Sequence, residues 1–533
     1  MNKEVLYGKE SRAKMLKGIQ AITNAVKVTM GAMGKCCLIG ESIYQDGWQI
    51  QLPTKVSKDG YTVTKYFELQ DAVENRGAMM IKEAATKTVE QAGDATTATC
   101  VLAESLITNG IKMIDEEKAN SQQLKKGMDL ALLEVLDGLK ELSTPVKGDI
   151  DRIRQIATVS ANNDSGIGNL IADAFAKIGD EGVLNIEASQ GMQTEIKLTD
   201  GYKFERGWIS PLFVTNRSKE TCEFDNPIIL LYQNKVTHHT QIQRAVDISM
   251  HQQRPVLIIA EDCDEEGLAY LAINNHRKSI VVCAVKAPEF GDLRREAMED
   301  IALLTGGTYI SDIRGIDIKE DLEFKHFGQA KKVIVSKTET IIIGGNKDEA
   351  KFDEFVADLK MNLAQAKTEA DKEPIEKRIA QLNSSVAVIQ VGAATETELN
   401  EKLDRVDDAV RATKAAISEG FVAGGGTAFL RIKIHNDGTD EPGIEMGKQL
   451  VRQSLSAPLF QICENAGVNA DKIYTQVKGE TGNIGYNALT DKIVDMVDAG
   501  IIDSTKALRC ALTNAVSVAG MVLTSECSII TVS

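Results

Sequence analysis

Residues 92–100 read AGDATTATC: a glycine, one acid and three threonines crowd the approach to an apolar-periodic run. Val101, Leu102, Leu106 and Met113 recur at roughly helical spacing, so a loop becomes a helix N-terminus here. A single hydroxyl or carboxylate satisfies an N-cap, yet Asp94, Thr96, Thr97 and Thr99 all stand at this one. More oxygen donors are present than a cap consumes.

Three further patches share this character: TMGAMGK (29–35), SKDG (57–60) and DDAVRATKAAISEGFVAGGGTA (407–428). Glycine lets backbone amides approach a phosphate, threonine hydroxyls donate to its oxygens, and a helix N-terminus adds a favourable dipole. Magnesium takes one or two protein carboxylates and completes its octahedron with phosphate oxygens and water. Together the patches suit a nucleotide. Singly, each also fits a plain role: a Gly-rich turn, a triple glycine for close packing, a turn aspartate at Asp59. GAMGK is not a Walker A loop, which needs four residues between its glycines.

The 533 residues exceed what one core serves and suggest roughly three or four domains. With 61 Lys and Arg against 77 Asp and Glu, the net charge of -16 argues against general nucleic-acid or anionic-membrane binding. No apolar run is read as long enough to span a bilayer, and MNKEVLYGKESRAK lacks the apolar core of a signal peptide, so a cytoplasmic protein is expected. Nine cysteines are scattered, only Cys36 and Cys37 adjacent, with no metal-ligand spacing; buried free thiols in a reduced compartment are expected.

Met15, Ile19, Ile22 and Val26 mark a first helix, and VSKDGYTVTKY reads as a hairpin with Asp59 and Gly60 near its turn. Helices follow as far as Pro145. From about 200 to 345, the strand-length apolar runs IILLY, PVLIIAED and SIVVCAV alternate with helix-length segments, an α/β domain within a helical protein. Residues 352–382 read as a charged helical hairpin with Phe352, Phe355, Leu359 and Leu363 on one face and Pro374 starting the second helix. Leu508, Leu512, Val516 and Ala519 form a last stripe before SIITVS. The two chain ends are expected to fold together, with the middle as an outgrowth.

In order along the chain stand VKVTMGAMGK, SKDGYTV, AGDATTAT, TVSANND, GYKFERGWISPLF, PVLIIAED, AVKAPEFGDLRR, LTGGT, VGAATETE, RVDDAVRATKAAISEGFVAGGGTA and GYNALT. By these motifs the sequence resembles the group I chaperonins, the bacterial and organellar ring-forming folding machines, over nearly its full length. The resemblance implies an α+β multidomain fold: a mostly helical equatorial domain (1–141 and 419–533), a small intermediate domain (142–199 and 387–418) and an α/β apical domain (200–386). It implies an ATPase using ATP and Mg2+, with K+ as a further ion. Asp94 would hold the metal; Thr96 and Thr97, with the amides of Ala95 and Ala98, the phosphates. Thr29, Met30, Gly31 and Lys58 would line the phosphate and base side, Gly425 and Asp503 the ribose, Asn487 and Ala488 the adenine. Asp408 would act on the attacking water, with Asp59 beside it.

Trp208, Leu212, Phe213, Val246, Leu268 and Ile273 fall where the family lines its groove for non-native polypeptides and a lid-forming co-chaperonin. A seven-membered homo-oligomeric ring, single or double, is implied. The competing class is a divergent binding or scaffold ring without productive ATP cycling. Several positions depart from the pattern: Ala95 and Ala98 in the phosphate loop, an insertion between Lys35 and Lys58, Gln243 and Ala272 near the groove, Ser384 and Ser385 at the apical hinge, and Phe460 and Asn469 where rings meet.

Overall fold

A computed structural model describes residues 2–40, 42–45, 48–51, 54–116, 119–146, 148–161, 164–179, 182–189, 191–216, 220–365, 369–382, 385–435, 438 and 441–532. They form two compact units, one of residues 1–176, 188–194 and 391–533, the other of residues 177–187 and 195–390. Ser384, of the hinge pair, lies outside the described residues.

In the first unit, β1 (Asn2–Tyr7) leads into α1 (Gly8–Lys27), whose Met15, Ile19, Ile22 and Val26 are buried as their spacing predicts. The insertion is a nested pair of ribbons: β2 (Cys37–Ile39) pairs with β5 (Lys55–Ser57), and between them β3 (Ser42–Gln45) pairs with β4 (Trp48–Gln51). The hairpin expected around Asp59 does not form. The Asp59 carboxylate accepts from the amides of Tyr61 (3.0 Å) and Thr62 (2.7 Å) and caps α2 (Gly60–Tyr66). The alternation in YTVTKY imitates a strand, but a capping carboxylate satisfies two orphan amides at once and the helix wins.

There follow α3 (Ala72–Ala92), α4 (Thr96–Asp115), α5 (Ser121–Leu142), α6 (Ile150–Ser160) and α7 (Ser165–Ile178). Helices α1 and α3 meet backbone to backbone: a Cβ on Gly18 would lie 1.7 Å from the Glu74 carbonyl oxygen, and one on Gly77 2.2 Å from that of Met15.

The second unit comprises β6 (Val183–Ala188), β7 (Glu195–Phe204), β8 (Cys222–Asp225), β9 (Ile228–Tyr232), α8 (Gln243–Gln252), β10 (Val256–Ala260), α9 (Glu265–His276), β11 (Val282–Lys286), α10 (Gly291–Thr305), β12 (Tyr309–Ile310), β13 (Gly328–Val335), β14 (Thr340–Gly345), α11 (Glu349–Gln365), α12 (Glu369–Leu382) and β15 (Ser385–Val391). The three apolar runs become β9, β10 and β11, parallel neighbours in a sheet ordered β11-β10-β9-β13-β14-β7-β15-β6. Val256–Ala260 is buried at every residue, which explains a continuous apolar run in place of alternation. Pro374 lies inside α12, which begins at Glu369; the good helix formers upstream extend it despite one missing N–H. Arg378 fixes α12 to α10 through Asp300 (2.6 Å) and Glu296 (2.9 Å).

The chain returns to the first unit with α13 (Glu396–Glu419), β16 (Phe421–Ala423), α14 (Thr427–Arg431), α15 (Pro442–Ser454), α16 (Ala457–Ala466), α17 (Ala470–Gly479), β17 (Ile484–Asn487), β18 (Lys492–Asp495), β19 (Ile502–Ser504), α18 (Thr505–Thr524) and β20 (Cys527–Val532). β20 runs antiparallel to β1 from Asn2 opposite Val532 to Tyr7 opposite Cys527, so the chain ends do fold together.

By length and composition α18 is apolar enough to cross a membrane, contrary to expectation. It packs on α3, α4 and α5, burying Leu508, Leu512, Val516 and Ala519 together with Ala511, Ala515, Val518 and Val522. Only one stripe, Lys506, Arg509, Thr513, Ser517, Met521 and Thr524, is left unburied, so most of the helix surface is apolar. All nine cysteines are free, six of them buried.

Candidate functional site

Glycines and caps bring four loops of the first unit around one cavity of about 720 Å³. α4 starts without a side-chain cap: its N-cap is Ala95, in the left-handed region at φ 67°. The Asp94 carboxylate accepts from the Ala95 amide at 2.5 Å and from Ser160 Oγ at 3.3 Å, and it faces the cavity. The first amides of α4 are therefore left to whatever the cavity holds. Thr99 is structural: buried, its Oγ1 lies 3.0 Å from both Thr88 Oγ1 and the Ala95 carbonyl, and Asn514 donates to the same Thr88 hydroxyl at 2.9 Å.

Close approach sets the walls. A Cβ on Gly60 would stand 2.2 Å from Thr97 Oγ1, so only glycine lets α2 reach α4. One on Gly93 would stand 2.1 Å from the Arg411 Cβ, which seats the loop ahead of α4 against α13. α13 thereby presents Asp404 and Asp408, one turn apart, to the cavity. All the residues named for nucleotide, metal and water line this cavity: Thr29, Met30, Gly31, Lys58, Asp59, Asp94, Ala95, Thr96, Thr97, Ala98, Asp408, Gly425, Asn487, Ala488 and Asp503.

Lys55, Ser160, Asp404 and Ser504 also line it and were missed. Asp404 carried a signal, standing four residues before Asp408 in a helical segment. Ser160 stands within the motif TVSANND, while Lys55 and Ser504 carried no signal.

The acids repel one another. Surrounding protein mass pushes the Asp408 carboxyl well above the usual range, and the charges of Asp59, Asp94 and Asp407 push the same way. Burial, then the Asp94 charge, raises Asp503 to about 7. Asp94 itself is raised by its protein surroundings, although its carboxylate is open to the cavity. Asp404 is raised by the protein mass around it although its side chain is about half exposed, with Lys55 opposing and Asp59 and Asp407 adding to the shift.

Such oxygen-only donors under mutual repulsion fit a hard divalent cation. Among the described residues no three ligating side chains converge on one point, so phosphate oxygens and water would have to complete its shell. Among the described residues the buried Ser504 Oγ at the cavity wall has no hydrogen-bond partner.

The second predicted site, in the other unit, is brought together only in part. Leu212 and Ile273 are exposed (55% and 51%), on a turn and on α9, which pack together; Asn275 Nδ2 donates to the Leu212 carbonyl at 2.9 Å. Trp208 and Leu268 are half-buried against the core. Phe213 (0%) and Val246 (3%) are core residues and line no surface groove. Phe213 turns inward from the Leu212 turn, with its carbonyl accepting from Cys222 Sγ, and Val246 lies on the inner face of α8 with Ala245 and Ser249.

The model of the TCP-1/cpn60 chaperonin family matches residues 22–532. The chain belongs to the chaperonin family. Among solved structures, the chaperonin is similar to gp146 from the bacteriophage EL 2 (Pseudomonas aeruginosa), crystallised in the presence of ATP-BeFx. In crystal form II the two chains are 19% identical, each covered over 99%, with a TM-score of 0.68; crystal form I gives 0.62 at the same identity and coverage. At this identity the likeness is one of fold.

Proposed function

We propose that this chaperonin hydrolyses ATP with Mg2+ and uses the turnover to bind and release non-native polypeptides as a group I-type homo-oligomeric ring. The observation that carries this reading is the single cavity in which Asp59, Asp94 and Asp408 meet the open N-terminus of α4. Crystallisation of gp146 in the presence of ATP-BeFx supports it.

Asp94 would hold Mg2+, which would supply charge neutralisation of the phosphates. Thr96, Thr97 and the neighbouring amides hold phosphate oxygens, while Asn487 and Ala488 meet the base and Gly425 and Asp503 the ribose. Asp408 orients the attacking water, and its raised proton affinity suits a proton acceptor. Phosphoryl transfer needs positioning and charge stabilisation rather than a covalent nucleophile.

α13 belongs to the small joining domain of residues 142–199 and 387–418, whose closure over nucleotide would couple hydrolysis to movement of the apical domain, residues 200–386. The exposed Leu212 and Ile273 contact the polypeptide. Phosphate release by the purified protein with Mg2+ and ATP tests the chemistry. Wild type should turn over and Asp408→Ala should fall about 100-fold or more while still binding ATP; undiminished turnover in that variant would overturn the assignment.

A further inference from the structure

The cavity carries more acid than its cations balance. Among the lining side chains Asp59, Asp94, Glu401, Asp404, Asp408 and Asp503 face Lys55, Lys58 and Arg405. Arg405 is committed, pairing with Glu401 at 2.7 Å and Asp164 at 3.3 Å. Lys55 is placed differently. It lies on β5, on the same strand face as the cavity-lining Ser57, and its Nζ stands 3.6 Å from Asp404 Oδ2.

That pair is loose. Its length exceeds a hydrogen bond, and both side chains are about half exposed (42% and 51%). An exposed pair of this kind holds weakly and is given up readily to a stronger anion. Asp404 and Asp408 are one helical turn apart, with Cβ atoms about 5–6 Å from each other, so Lys55 is paired with the α13 neighbour of the carboxylate assigned to the attacking water. A terminal phosphate presented to Asp408 would come within reach of Lys55. It brings up to two negative charges against the one of Asp404.

We infer that Lys55 is a terminal-phosphate contact, parked on Asp404 until a nucleoside triphosphate enters and then exchanged onto the phosphate. The inference rests on the nucleotide reading above and deepens it. It makes Lys55 the side chain that separates triphosphate from diphosphate, since ADP lacks the group it would touch. It also makes Asp404 a positioning residue, which keeps the ammonium near the cavity and competes with the phosphate for it.

The experiment measures binding of Mg·ADP alone and of Mg·ADP with beryllium fluoride, which stands where the terminal phosphate would, so no turnover intervenes. Lys55→Met should lose about tenfold or more for the beryllium fluoride complex while ADP affinity stays within twofold, the unchanged ADP site showing that the cavity is folded. Lys55→Arg should recover most of that loss, and Asp404→Asn should bind the complex two- to threefold more tightly. Equal loss for both ligands, or no loss for either, would overturn the inference while leaving the nucleotide reading in place. A wild-type protein that binds neither ligand would refute the nucleotide reading itself.

Discussion

Ser160 Oγ donates to Asp94 Oδ2 across 3.3 Å, joining the last residue of α6 to the loop ahead of α4. The bond holds one carboxylate oxygen while the Ala95 amide holds the other, so the acid proposed to hold the metal is aimed before any ligand arrives. Asp94→Asn should weaken Mg·ADP binding at least tenfold. Ser160→Ala, which removes only the aim, should cost about threefold. Titration of Mg·ADP into both variants checks this; a Ser160→Ala loss as large as that of Asp94→Asn would mean the hydroxyl itself touches the ligand.

Ala95 sits at φ 67°, ψ 21°, where a residue with a Cβ pays about 1–2 kcal/mol and glycine almost nothing. Glycine loses part of this again through the greater freedom of the unfolded chain. Ala95→Gly should still raise the thermal midpoint by roughly 1–3 °C, and Ala95→Val should lower it by more. Thermal unfolding of the three proteins decides the matter. A lower midpoint for the glycine variant would show that the alanine methyl makes a contact that outweighs the strain.

Asp503 titrates near pH 7 when folded, because burial and the Asp94 charge disfavour its ionised form, and near its ordinary value of about 4 when unfolded. Between these limits the folded protein holds a proton that the unfolded chain has released. The stability this gives is fully present below about pH 4 and is lost as pH rises through about 7. Asp503→Asn does not titrate. The variant's midpoint minus that of wild type should therefore climb from about pH 4 to about pH 7 and level off above, and a flat difference would contradict the assignment.

The first helix was legible in its apolar periodicity, the three parallel strands in their continuous apolar runs, and the joining of the chain ends in the helical character shared by both ends around an α/β middle. The cavity residues were legible as short Gly- and Asp-rich motifs. What escaped depends on competition or distance. Asp59 followed by alternating residues supports both a turn and a cap, and only the two amide bonds decide. The Lys55–Asp404 contact joins residues with no common pattern. In α18, burial of all but one narrow stripe gives a core helix the composition of a membrane span.

Leu212 and Phe213 are chain neighbours with opposite fates, and sequence alone gave both to the polypeptide groove. The turn Pro211–Phe213 sends Leu212 into solvent beside α9 and Phe213 into the core with Phe224 and Val285. Leu212→Ser or Ile273→Ser should leave the thermal midpoint nearly unchanged, since exposed substitutions cost about 0.5 kcal/mol or less. Both should lower capture of a chemically denatured protein. Phe213→Ser empties a buried aromatic site, a loss of about 3–5 kcal/mol, and should melt the second unit early whatever it does to capture. Thermal unfolding and capture, measured on the same preparations, separate the two classes. If Leu212→Ser and Ile273→Ser both capture as wild type does, this face does not bind polypeptide; if Phe213→Ser keeps the wild-type midpoint, the inward placement of its ring is wrong.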